Sequence, residues 1–86
     1  MFRVVLLPKA EKAFARADAP LARKLARAFE LLEVDPLRHR KIKPLTGPLK
    51  GFFRLRAGDY RIVYKIDART ETVYVVRIAH RKEAYQ

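Results

Sequence analysis

The sequence predicts an α+β fold: an N-terminal strand and a two-helix hairpin, packed on one face of an antiparallel sheet that a C-terminal three-strand meander completes. Three observations predict it. Residues 2–7 are a short apolar and β-branched run closed by Pro8. Residues 9–34 repeat apolar side chains at helical spacing. Residues 52–79 hold three runs rich in Val, Ile, Tyr and Phe, separated by turn-forming residues.

Each element follows from its residues. Residues 2–7 suit a strand, and Pro8 suits the first position of a helix, where its missing N–H is not needed. Ala10, Ala13, Phe14 and Ala17 then recur at helical spacing. Asp18, Ala19 and Pro20 break this helix and start a second one, with Asp18 or Ala19 at its cap. Leu21, Leu25, Ala28, Phe29 and Leu32 form one apolar stripe, and Arg23, Lys24, Arg27 and Glu30 lie away from it. The hairpin ends near Val34. Residues 35–51 contain three prolines and two glycines among basic residues and read as a loop, long enough to suggest a functional or partner-bound segment. Strands are expected over 52–56, 60–66 and 72–79, joined by a three-residue hairpin turn, Ala57-Gly58-Asp59, and a longer polar turn over 67–71. With no repeat and no low-complexity tract, residues 1–86 read as a single domain.

Composition narrows the partners. Twenty Lys and Arg against nine Asp and Glu give a formal charge of +11, and such a field concentrates polyanions: RNA, DNA or an acidic protein. There is no cysteine, so neither a disulfide nor a thiolate metal site is available, and only His39 and His80 offer imidazole. No metal and no cofactor are expected. No run approaches the ~20 apolar residues of a membrane span, and the opening MFRVVLLPK is too short for a signal peptide. The expected location is cytoplasmic, with no membrane partner.

Strand side chains alternate, which sorts the charges by face. In the first meander strand Phe53 and Leu55 oppose Phe52, Arg54 and Arg56. In the second Tyr60, Ile62, Tyr64 and Ile66 oppose Arg61, Val63 and Lys65. In the third, if unbroken, Tyr74, Val76 and Ile78 oppose Val73, Val75, Arg77, Ala79 and Arg81. The aliphatic sets must meet the helices, since an unpaired buried guanidinium costs several kcal/mol. Arg54, Arg56, Arg61, Lys65, Arg77 and Arg81 are therefore expected to converge on the other face as an anion site. The planar guanidinium fork suits phosphate.

The runs PLTGPLKGFFRLRAGDYRIVYKID and VYVVRIAHRKEAY, with the L-x-G, F-R-L-R-x-G-D-Y-R-I-V-Y and I-x-H-R-x-x-x-Y elements, resemble the RelE/ParE superfamily of type II toxin–antitoxin toxins, and look closer to its RelE branch. The resemblance implies a RelE-like fold over nearly the whole chain. It also implies a ribosome-dependent endoribonuclease that cuts mRNA in the A site and is held inactive by an antitoxin. On that resemblance Arg54 contacts substrate phosphates, Arg61 stabilises the transition state, Arg81 acts on the leaving group or scissile phosphate, and Tyr85 stacks on or orients a base. Where the enterobacterial type of RelE has a lysine implicated as general base, two residues before the position of Arg54, this chain has Phe52.

Metal-free RNA cleavage by the ribose 2′-oxygen needs a proton acceptor, stabilisation of the phosphorane and a proton donor for the leaving oxygen. Arginine serves the second need and transfers protons poorly. Lys50, Tyr85 and His80 are the candidate acceptors, although alternation turns His80 toward the core, and His39 reads as a residue of the basic loop. Lys50, Arg56, Lys65 and Arg77, and the loop residues Arg38, Arg40, Lys41 and Lys43, are expected to bind RNA, with Arg23, Lys24 and Arg27 suited to ribosomal RNA. The expected partners are an acidic cognate antitoxin in a hetero-oligomeric complex, the ribosome and mRNA. Two other functions remain open: a ParE-like inhibitor of DNA gyrase, and an RNA-binding module with a degenerate site.

Overall fold

The computed structural model describes residues 1–84; Tyr85, a predicted site residue, lies outside them. Strand β1 (Arg3–Leu6) leads through Pro8 into helix α1 (Pro8–Ala15), and α2 (Ala19–Val34) follows at once. Asp18 caps α2: its carboxylate accepts a hydrogen bond from the Leu21 amide at 3.0 Å. The two helices meet where Phe14 and Phe29 pack edge to face, their ring centroids 5.6 Å apart.

The chain then forms β2 (Ile42–Pro44), a 3₁₀ turn at Gly47–Leu49, β3 (Phe53–Ala57), β4 (Tyr60–Asp67), β5 (Thr72–His80) and a short helix α3 (Arg81–Ala84). The five strands form one sheet in the order β1-β5-β4-β3-β2. β1 runs parallel to β5 and every other pairing is antiparallel, so the sheet is mixed rather than the antiparallel one expected.

Cross-strand neighbours project on one side, which defines the core row by row. Ile42, Leu55, Ile62 and Ile78 form one buried row. Phe53, Tyr64, Val75 and Leu6 form the next, with the Phe53 and Tyr64 rings stacked 5.8 Å apart. Leu25 and Leu32 of α2 and Ala10 of α1 are fully buried in the same core. Burial of this kind contributes roughly 1.5–3 kcal/mol for each large aliphatic side chain. The helical stripe and the β4 alternation are as the sequence predicts.

Three local departures have physical causes. Residues 35–51 are not one loop, because Ile42 is apolar enough to be buried and pulls the segment into edge strand β2. Pro44 is tolerated there because an edge strand has a side that needs no donor. The β3–β4 turn has two residues rather than three: Ala57 pairs with Tyr60, leaving Gly58 (φ +61°) and Asp59, the glycine-first pattern of a II′ hairpin. Finally, Val63 pairs with Arg77 but Tyr64 pairs with Val75, so Val76 is an extra residue in β5. This bulge resets the alternation. Val73 and Val75 are fully buried against the sequence expectation, whereas Tyr74 and Val76 face the other way; beyond the bulge Ile78 is core and Arg77 exposed, as expected.

The loop after α2 is anchored at Asp35 and Pro36. The buried Tyr64 hydroxyl donates to the Pro36 carbonyl at 2.6 Å, and burial, with a smaller contribution from the Asp35 charge, pushes its phenol well above the ordinary range. The Asp35 carboxylate accepts from the amides of Leu37 (2.9 Å) and Arg38 (3.1 Å), which hold it below the usual carboxylate range.

Candidate functional site

Two basic rows cross the sheet face that the helices leave open. Lys43, Arg54, Val63 and Arg77 are successive register partners from β2 to β5, and Arg56, Arg61 and Ala79 are partners one step nearer the hairpin turn. Arg56 and Arg61 stand directly opposite each other. Like charges so placed oppose sheet pairing, by roughly 0.2–1 kcal/mol.

Beside them β5 ends at His80, and Arg81 lies in α3, so the unbroken strand on which alternation would have set Arg81 is not formed. Three contacts place this corner. The Arg81 amide donates to the Asp59 carbonyl at 2.7 Å, tying the start of α3 to the hairpin turn. His80 Nδ1 accepts from the Lys82 amide at 3.2 Å, and its ring packs edge to face on Tyr60 at 5.2 Å. An accepting Nδ1 leaves the imidazole proton on Nε2, so in this arrangement His80 holds the turn into α3. The sequence expectation of a core-side His80 agrees with its half-buried position.

The result is an opening of about 450 Å³ lined by Arg56, Arg61, Arg81 and Lys82, with Asp59 as its carboxylate and Tyr60 and Gly58 completing the wall. Arg61 also borders a second opening of about 200 Å³, where Arg54, Arg77 and the apolar Leu45 and Leu49 surround it. Arg54 is only 8% exposed, and its Nη1 donates to the Lys41 carbonyl at 3.2 Å, so part of its guanidinium serves to hold β3 to the β2 segment.

The expected convergence is therefore incomplete. Lys65 stands at the far end of the sheet, its Nζ 5.9 Å from the Tyr74 ring centroid, in a separate cleft with Asp67 and Arg69. Lys50 is exposed beyond the 3₁₀ turn and does not line the Arg61 opening; Arg38, Arg40 and Lys43 are exposed along the 35–51 segment. Lys41 and His39 face α2 across another groove. Sequence reasoning missed Lys82 and the placement of Asp59 in the cleft. The signal available was the change from alternating strand residues to the charged run Arg81-Lys82-Glu83, where a strand gives way to a helix. Among the described residues no three His, Asp or Glu side chains cluster as metal ligands, and no helix is long and apolar enough to cross a membrane.

A family model described as the ParE toxin of type II toxin–antitoxin systems matches residues 4–85. The chain belongs to this family. Within it, the chain is similar to Toxin RelG of Mycobacterium tuberculosis, 42% identical over 59 residues, and to Toxin RelE of the same organism, 44% identical over 48 residues. Those alignments cover 69% and 56% of this chain, but only 66% and 50% of the relatives' own lengths. A chain in the crystal structure of the toxin–antitoxin complex RelBE2 from M. tuberculosis extends the likeness: it is 32% identical with a TM-score of 0.80, over 92% of this chain and 96% of that one. Membership of the family, with Rel-type relatives and a RelE-like fold, accords with the resemblance carried by residues 45–85.

Proposed function

We propose that this protein is a type II toxin that cuts ribosome-bound mRNA, and that an acidic cognate antitoxin holds it inactive in a hetero-oligomeric complex. The observation that carries this reading is the pairing of Arg56 with Arg61 across β3 and β4, closed by Arg81 and Lys82 into one cleft. Guanidinium groups set on facing strands, with two further cations beside them, are suited to an anion whose charge grows during reaction.

In the reaction the ribose 2′-oxygen attacks the adjacent phosphorus and the bond from phosphorus to the 5′-oxygen breaks. The products are a 2′,3′-cyclic phosphate and a 5′-hydroxyl. Arg56 and Arg61 donate to the phosphorane oxygens, where guanidinium gives paired, geometrically fixed hydrogen bonds. Arg81 and Lys82 lie on the α3 side, where Arg81 is suited to hold the leaving 5′-oxygen and the Lys82 ammonium to give it the proton that makes the 5′-hydroxyl. Among the described residues that line the cleft, Asp59 is the side chain that only accepts when ionised, and so is the group suited to take the 2′-hydroxyl proton. That assignment takes the role sought for Lys50, Tyr85 and His80, and it suits a chain that has Phe52 where a lysine was looked for. The Lys43–Arg54–Arg77 row and the loop cations hold the RNA backbone and the ribosome without sequence choice.

Incubation with programmed ribosomes and, separately, with DNA gyrase and relaxed plasmid tests the reading. Cyclic-phosphate mRNA fragments with undisturbed supercoiling are expected. Inhibited supercoiling with intact mRNA would overturn it in favour of the gyrase-directed activity. An Asp59→Asn substitution is expected to reduce cleavage at least tenfold while leaving RNA affinity near wild type.

A further inference from the structure

A second groove, of about 540 Å³, runs between α2 and β3 on the far side of the hairpin turn. Arg23, Lys24 and Arg27 form its helical wall, spaced so that one face of α2 presents all three, and Lys41 and Arg56 stand on the sheet side. Among the described residues that line it there is no Asp or Glu. Two residues, Arg56 and Gly58, border both this groove and the Arg61 cleft. Lys24 reaches the ridge between them, since a Cβ on Gly58 would lie 2.7 Å from its Nζ. Cations on both walls, a shared arginine and a glycine ridge make one continuous positive path around the hairpin.

We propose that this groove is a backbone-phosphate track for the same RNA strand that enters the cleft, carrying the nucleotides that flank the scissile bond past Gly58 and along α2. This rests on the ribonuclease reading above. A linear polyanion fits the path better than a compact one, because the charges are strung along a groove and not gathered into a pocket. The track confers affinity and direction without base choice.

The test is the binding of 2′-O-methyl single-stranded RNAs, which cannot be cut, to the isolated protein over a range of salt. One oligomer of roughly four nucleotides fills only the cleft and one of roughly twelve reaches the groove. Wild type should bind the longer RNA more tightly and with a steeper salt slope. The triple variant R23A/K24A/R27A should lose about 2 from that slope, at ~0.7 for each lost phosphate contact on a single strand, and lose much less on the short RNA. All three positions are exposed on a helix and alanine favours helix, so the variant should fold, which circular dichroism verifies. Equal losses on both lengths, or none on either, would overturn the track. Wild type that cuts ribosome-bound mRNA yet binds neither RNA would overturn the track alone; wild type that neither binds nor cuts would overturn the ribonuclease reading with it.

Discussion

At the scale of single residues, the opposition of Arg56 and Arg61 ties structure to chemistry most closely. Arg56 is exposed, so replacing it with threonine, which suits a strand, should raise stability by up to ~1 kcal/mol in urea unfolding and weaken RNA binding at the same time. A stable variant with unchanged RNA affinity would contradict a functional origin for the pair. His80 supports the cleft without lining it. Asparagine can offer an oxygen to the Lys82 amide as Nδ1 does, whereas phenylalanine keeps only the ring contact with Tyr60. His80→Asn should therefore retain most cleavage and His80→Phe should lose it with little change in RNA affinity; the reverse order would assign His80 a different role. The arginines themselves were legible from alternation alone. Lys82 was not, because its place depends on where β5 stops, and no local residue type marks that point as sharply as a proline or glycine would.

Elements show why the phase of a strand needs more than its composition. The extra Val76 in β5 shifts the faces of Val73, Tyr74 and Val75 relative to a continuous strand, and a run of four apolar residues there is compatible with either phase. The β1 pairing decides it: Val4 and Leu6 bury only beside Val73 and Val75. In the β3–β4 turn, Gly58→Ala should cost about 1–2 kcal/mol, chiefly from the left-handed backbone, since the Lys24 ammonium nearest the new methyl can swing aside. A thermal shift within error of wild type would argue against a strained turn. Tyr64 ties the post-α2 loop to the sheet. Tyr64→Phe leaves the Pro36 carbonyl without its donor and should cost about 1–3 kcal/mol. The raised phenol adds a pH signature. The folded state keeps the proton that the unfolded chain releases near its ordinary pKa of ~10, so this stabilisation is complete below that pH and declines above it. The wild-type advantage over Tyr64→Phe, measured by chemical unfolding, should shrink as pH rises past ~10; a constant gap would contradict the assignment.

For the whole molecule, hydrophobic periodicity fixed the element order and the helix stripe, because Leu25, Ala28 and Leu32 can be buried on only one side of α2. The partition of charge was legible for the same reason: an unpaired guanidinium is excluded from the core. What periodicity could not supply is which basic residues meet. Lys65 and Arg61 share a strand and a face, yet the length of β4 separates them into different clefts, while Lys82 lines the Arg61 cleft from another element. Net charge of +11 predicts a polyanion and a steep loss of affinity with salt, but it does not distinguish binding from cutting. Primer extension on mRNA translated in vitro makes that distinction, with wild type compared with Arg61→Ala, which removes the proposed transition-state donor at an expected cost of about 10²–10³-fold. Wild type should produce discrete A-site cuts that the variant lacks while it still binds RNA; equal cutting by the two, or no cuts by wild type on actively translating ribosomes, would contradict the account.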